Sequence, residues 1–164
     1  VYSVDDKFTT KFMSILNLLP VFPLYYNGNT KFTPIHCSDL TEIIYQVVLK
    51  NINSTTIQCI GPEVITLKNL LKKLLKIMDK KRLLIPLPLL FAKISARIFQ
   101  LFPNPIITID QLNLLKYDNI ASKKYKTNFD FGIPSTHVFD VEVEKYAFMW
   151  KAGGQYSTKK YKID

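Results

Sequence analysis

Glycine-rich phosphate loops are missing from this chain of 164 residues. It has 5 glycines, and the only adjacent pair is Gly153-Gly154. No G-x-G-x-x-G or G-x-x-G-x-x-G run follows a strand pattern. The sequence therefore offers no turn whose amides would meet a dinucleotide pyrophosphate at a helix N-terminus. Cysteine is scarcer still. Cys37 and Cys59 lie in no C-x-x-C pair, which excludes a disulfide scaffold, and their apolar strand-like surroundings make them expected buried free thiols. The two histidines, His36 and His137, carry no repeated ligand spacing, so no metal site is expected. Long apolar runs are also lacking. The most apolar window, 83–101, is broken by Pro86, Pro88, Lys93, Arg97 and Gln100, short of the roughly 20 apolar residues a spanning helix needs. The opening VYSVDDKF has two acids and no apolar core, so no signal peptide is expected. Nucleophile elbow, Walker loop and metal-hydrolase motifs are absent.

What is present is a core-forming composition, 48% hydrophobic, with a net charge of +9 from 22 Lys and Arg against 13 Asp and Glu. Such a chain can bury a core over one domain or slightly more and is not expected to be disordered. The lysine-dominated excess points to an anionic partner or surface.

The best-specified local unit runs over 32–49, an extended segment followed by an amphipathic helix. Leu40, Ile43, Ile44, Val47 and Val48 share one helical face, Asp39 is the expected cap, and Glu42 sits where a reciprocal cap would place it. Ahead of it, a helix is expected over 6–19 with Phe8, Phe12, Ile15, Leu16 and Leu19 inward, Asp5 or Asp6 capping and Pro20 ending it. Residues 21–26 and 31–36 flank an Asn27-Gly28-Asn29 turn and suggest a small hairpin or two short strands at the edge of a larger sheet. A strand over 55–60 closes at Gly61-Pro62. Thr66 then caps a helix with Leu67, Leu70, Leu71, Leu74, Leu75 and Met78 inward and Lys68, Lys72, Lys73 and Lys76 outward. A short strand over 83–86 and a helix over 88–102 follow, then a short helix from the Thr108 cap to 116. Aromatic groups of 129–133 are expected against the body, and a last helix over 138–149 is capped by Ser135 or Asp140. Residues 1–150 form the expected lobe, and 151–164 a frayed or extended tail. A Tyr-x-x-x-Lys spacing at Tyr156 and Lys160 falls in that polar tail and reflects composition rather than a helical catalytic pair.

Three stretches carry a family resemblance. PIHCSDLTEIIYQVV, from Pro34 to Val48, is similar to an extended Pro-[Ile/Val]-x-Val-x-Asp segment leading into a helix. CIGPEVITLKNLL, from Cys59 to Leu71, is similar to a strand, Gly-Pro and Thr-Leu-initiated helix. ITIDQLNLLKYDNIAS, from Ile107 to Ser122, is similar to a Thr-x-Asp-Gln-x-x-x-Leu-x-x-Asp-Asn segment and is the most specific of the three. Together they resemble the C-terminal half of an atypical short-chain dehydrogenase/reductase, of the NAD-dependent epimerase/dehydratase type. The nearest likeness is to the accessory subunit of respiratory complex I that carries this fold, bacterial relatives included. Ser3 and Val4 depart from the Gly-Pro-type turn the family has there.

The resemblance implies an α/β fold: the C-terminal portion of a Rossmann-like extended dehydrogenase, mainly helices with a few short strands, its N-terminal nucleotide-binding half lying outside these residues. It implies a vestigial or non-catalytic NAD(P)-binding-family protein with an accessory or assembly role in quinone-linked respiratory electron transport. The alternative is a fragment of an NAD(P)-dependent nucleotide-sugar epimerase, dehydratase or reductase. NAD or NADP would belong to a longer protein, and none is expected on this fragment alone. No catalytic residue is assigned. His36, Asn27 and Lys31 are the candidate cleft-lining cofactor contacts, Asp39 is expected to be structural, and Asp110, Gln111, Asp118 and Asn119 would order the lobe or meet partner subunits. Implied partners are complex I or other membrane-bound assembly subunits. The basic face from Lys68 to Arg82 is available to an anionic lipid surface, and nucleic acid is not expected. The implied location is peripheral, at the inner face of a bacterial cytoplasmic membrane or the mitochondrial matrix side, or otherwise cytoplasmic.

Overall fold

A computed structural model describes residues 1–88 and 109–151. The expected helix over 88–102, the Thr108 cap and the tail with Tyr156 and Lys160 lie outside these residues, apart from Pro88 itself.

Helix α3 (Leu67–Ile77) is the centre of the core. Its leucines recur at helical spacing, and Leu67, Leu70, Leu71, Leu74, Leu75 and Met78 are all buried. Thr66 starts it as the sequence requires: the hydroxyl accepts the Asn69 amide proton at 3.2 Å. Thr66→Ala is expected to cost about 1 kcal/mol, lowering the melting temperature by roughly 2–4 °C in a chain of this size; an unchanged thermal melt would contradict the cap.

Helix α1 (Thr9–Leu18) buries Thr9, Met13 and Leu16. Asp6 caps it. Its carboxylate accepts the Phe8 amide at 2.7 Å and also those of Ser3 and Thr9. Helix α2 (Cys37–Leu49) turns Ile43 inward, with Leu40 and Val47 half-buried. Ile44 and Val48, expected on the same buried face, are exposed, as are Tyr45 and Leu49. Helix α4 (Ile109–Leu114) buries Leu112. Helix α5 (Phe139–Tyr146) packs on α3 and runs into a 3-10 turn at Ala147–Trp150.

The strands are short. β1 (Val21–Leu24) pairs in parallel with β5 (Leu83–Pro86), and β3 (Ile57–Gln58) pairs in parallel with β6 (Lys126–Thr127). β2 (Lys31–Phe32) pairs antiparallel with β4 (Ile65–Thr66). Of the two readings for 21–26 and 31–36, the structure has two short strands and no hairpin between them. Tyr26, Asn27 and Gly28 all have positive φ, and this left-handed 3-10 turn separates β1 from β2 so that each joins a distant strand. The pattern is an α/β domain, mainly helical with a few short strands, and it matches a Rossmann-like topology.

Candidate functional site

Two structures meet where the start of the chain, β2 and the start of α2 come together. One is a polar cluster; the other is a pair of cavities.

The cluster is built on Asp39, in the first turn of α2 and 4% exposed. Its carboxylate does not cap its own helix, contrary to the expectation from sequence. It accepts the backbone amides of Thr136 and His137, each at 3.1 Å, and the His137 Nδ1–H at 2.7 Å. The ring nitrogen must be the donor, since an ionised carboxylate only accepts. His36 caps α2 instead: its backbone is extended (φ −72°, ψ 147°) and its Nδ1 accepts the Ser38 amide at 3.3 Å. Glu42 does not reach back to the cap, and its carboxylate accepts from the Gln46 side chain at 2.8 Å. The His36 ring stacks on that of His137 at 4.9 Å and meets Tyr2 edge-on at 5.2 Å. Tyr2 is buried, forms a parallel bridge with His36, and donates its hydroxyl to the His137 carbonyl at 3.2 Å. Cys37 opens the helix and is half-buried, as is Cys59, so neither thiol is fully enclosed as expected.

Burial and hydrogen bonding shift the protonation of several of these groups. Burial alone would raise the Asp39 carboxyl, but hydrogen bonds from the His137 ring and the Thr136 and His137 amides outweigh it and hold it below its ordinary value. Burial, and next to it the negative charge of Glu142, pushes the Tyr2 phenol far above its ordinary range. Burial likewise pushes Tyr146 up to about 12, against its hydrogen bond to Thr9. Burial holds the His36 imidazole below its ordinary value, against the pull of Glu142. Lys73, expected to face outward, instead pairs with Glu63 at 3.0 Å and Asp140 at 2.9 Å; these hydrogen bonds overcome its partial burial and raise its pKa. Asp140 is thus tied to α3 and caps nothing. Ser135, the other expected cap, donates to the Ile60 carbonyl at 2.7 Å.

The larger cavity, of about 540 Å³, lies between α1, β1, Phe32 and residues 114–119. Phe8, Phe12, Ile15, Phe22 and Leu115 supply its apolar wall, and Lys7 and Lys11 also line it. The smaller, of about 430 Å³, is bordered by Val1 and Tyr2, the 32–35 strand edge, Cys59 and Ile120. Phe8, Phe32 and Asn119 border both. The Asp118-Asn119 pair is locked to β2. Asp118 accepts the Lys31 amide at 2.9 Å, the Asn119 amide donates to the Lys31 carbonyl at 2.8 Å, and Asn119 accepts the Thr33 amide at 3.2 Å.

His36, Asn27 and Lys31 line neither cavity. His36 is the α2 cap, Asn27 is exposed in the left-handed turn, and the exposed Lys31 is held through its backbone by Asp118 and Asn119. Along the basic stretch, Lys80 bonds the Asn17 side chain, and Arg82 donates to the carbonyls of Leu16 at 2.9 Å and Asn17 at 3.3 Å, closing the end of α1. Lys68, Lys72, Lys76 and Lys81 remain exposed. Asp110 is exposed. Sequence reasoning missed Tyr2, His137 and Asn128. The last is fully buried, donating to the Ile133 carbonyl at 2.9 Å and accepting the Ile60 amide at 2.9 Å.

One amide in the first turn of α2 and one in that of α3 are taken by the side chains of His36 and Thr66, and a Cβ added at Gly28, in the left-handed turn, would lie 2.9 Å from the Lys68 Cβ. Among the described residues, no group of three or more His, Cys, Asp and Glu side chains is placed to hold a metal ion, and no helix is long and apolar enough to cross a membrane. No family model matches the chain, and no curated protein matches it.

Proposed function

We propose that this chain is a non-catalytic lobe of a Rossmann-like, nucleotide-binding-type protein that serves as an accessory element of a membrane-bound respiratory assembly. The supporting observation is the Asp39–His137 clamp. Every hydrogen bond of that carboxylate holds the start of α2 to the segment before α5, and the neighbouring phenols and imidazole are shifted toward their neutral forms. A general acid or base is effective when its pKa lies near working pH and its proton can leave; these groups are spent on holding elements together. In this reading the grip on NAD or NADP belongs to polypeptide beyond these residues.

The test has two arms. Calorimetric titration of the chain with NAD⁺, NADH, NADP⁺ and NADPH is expected to give no saturable heat; saturable binding would overturn the assignment of the grip elsewhere. The full-length gene product, tagged in its native host, is expected to comigrate with respiratory complexes on native gels of solubilised membranes. Recovery only as a free soluble protein would overturn the accessory role.

A further inference from the structure

We propose that the larger cavity is a binding site for a long-chain acyl carboxylate, a free fatty acid, with the chain inside and the carboxylate at Lys7. The inference goes beyond the accessory reading and does not depend on it. Its volume of about 540 Å³ falls in the ordinary range for small-molecule sites, roughly 300–1,000 Å³. The shape of the wall selects the ligand body. Phe8 meets Phe12 at 4.9 Å and 90°, Phe8 meets Phe32 at 5.9 Å and 57°, and Phe12 meets Phe22 at 5.8 Å and 68°. These rings pack edge against face on one another and give a corrugated wall. None of these three contacts is a parallel stack, so the wall they form is uneven and suits a flexible chain better than a planar ligand.

Charge selects the head group. Lys7, just before α1, and Lys11, within it, both line the cavity. Of the nearby acids, Asp6 accepts the amides of Ser3, Phe8 and Thr9, and Asp118, itself in the lining, accepts the Lys31 amide through one carboxylate oxygen. The apolar lining rewards burial of a chain at about 0.8 kcal/mol per methylene, and the cation at the mouth favours a carboxylate over a neutral head.

The probe is dodecanoate, titrated calorimetrically into the full chain below its micelle concentration, with dodecanol, 2-naphthoate and phosphatidylglycerol vesicles as comparison ligands. Saturable 1:1 binding of dodecanoate is expected, about fivefold tighter than dodecanol, from the roughly 1 kcal/mol a rim ion pair supplies. Lys7→Gln is expected to erase that preference and Lys7→Glu to reverse it. Ile15→Phe, which adds volume to the wall, is expected to weaken dodecanoate at least about tenfold. Lys7 is exposed and precedes α1, so its variants keep the test valid if Ile15→Phe does not fold. Absence of saturable dodecanoate binding, tighter binding of 2-naphthoate, binding only to vesicles, or an unchanged preference in both Lys7 variants would each overturn the proposal.

Discussion

Asp39→Ala is expected to destabilise the fold by about 3–5 kcal/mol, the range for removing one partner from a buried charged network. The side chain is 4% exposed and accepts three hydrogen bonds. Alanine leaves the amides of Thr136 and His137 without an acceptor in a half-buried crevice and frees the His137 ring, so the segment entering α5 loses its tie to α2. A buried orphaned donor costs about 1–3 kcal/mol; with Thr136 exposed and His137 half-buried, these two amides fall at the low end. Asp39→Asn keeps the shape and one acceptor oxygen, so it is expected to cost less than alanine. Acid should act on the same bond. The folded carboxyl is held below its ordinary value, so its stabilisation is complete above about pH 4 and is lost as pH falls through the lower, folded value. His36 contributes with the same sign at higher pH, because its depressed imidazole costs stability as pH falls below about 6.5. Melting temperatures recorded from pH 7 to pH 2.5 check both. The wild type should lose stability below pH 4 more steeply than Asp39→Ala, and parallel curves would exclude the clamp.

What could be read from the sequence was whatever depends on neighbours along the chain. The α3 face was legible down to each leucine, because a 3.6-residue period and a Thr cap are local signals. The position of α2 was legible too, while its cap was not. Asp39 is a strong capping type by propensity, but its true acceptor role is toward amides 97 and 98 residues away, and no local rule sees them. The hairpin reading of β1 and β2, unlike the reading as two short strands, failed for the same reason. Asn27-Gly28 is a strong turn signal, yet β1 found β5 and β2 found β4. The cavity was half visible: Phe8, Phe12 and Ile15 were named as a buried face, though Phe8 is exposed, and Phe22, Phe32 and Leu115 converge on them only in three dimensions. Asp118 and Asn119, in the stretch most specific to the family resemblance, proved to be a seam along β2.

Gly61→Ala is expected to be as damaging as the loss of Asp39, for a steric reason. A Cβ at Gly61 would lie 1.7 Å from the Pro34 carbonyl oxygen and 2.6 Å from its carbon. These are backbone atoms, and neither segment is at liberty to step aside. The adjoining Ile35 carbonyl accepts the Tyr2 amide at 2.9 Å, and the Ile35 side chain is 4% exposed in a core with Ile43 and Ile133. Ile60 is pinned on both sides, its amide by Asn128 at 2.9 Å and its carbonyl by Ser135 at 2.7 Å. Making room therefore breaks the Tyr2–His36 bridge or the Asn128 network. The expected cost is at least about 3 kcal/mol, at the upper end of overpacking, or a fall in melting temperature of roughly 6–12 °C. Gly132 supplies the contrast. Its φ is +66°, but an added Cβ meets nothing within 4 Å, so Gly132→Ala carries only the left-handed strain of about 1–2 kcal/mol. By conformation alone Gly132 would be the sensitive position; by contact it is Gly61. Thermal melts of the two variants decide between these causes, and a larger loss for Gly132→Ala would show that residues 34 and 61 do not meet in the folded chain.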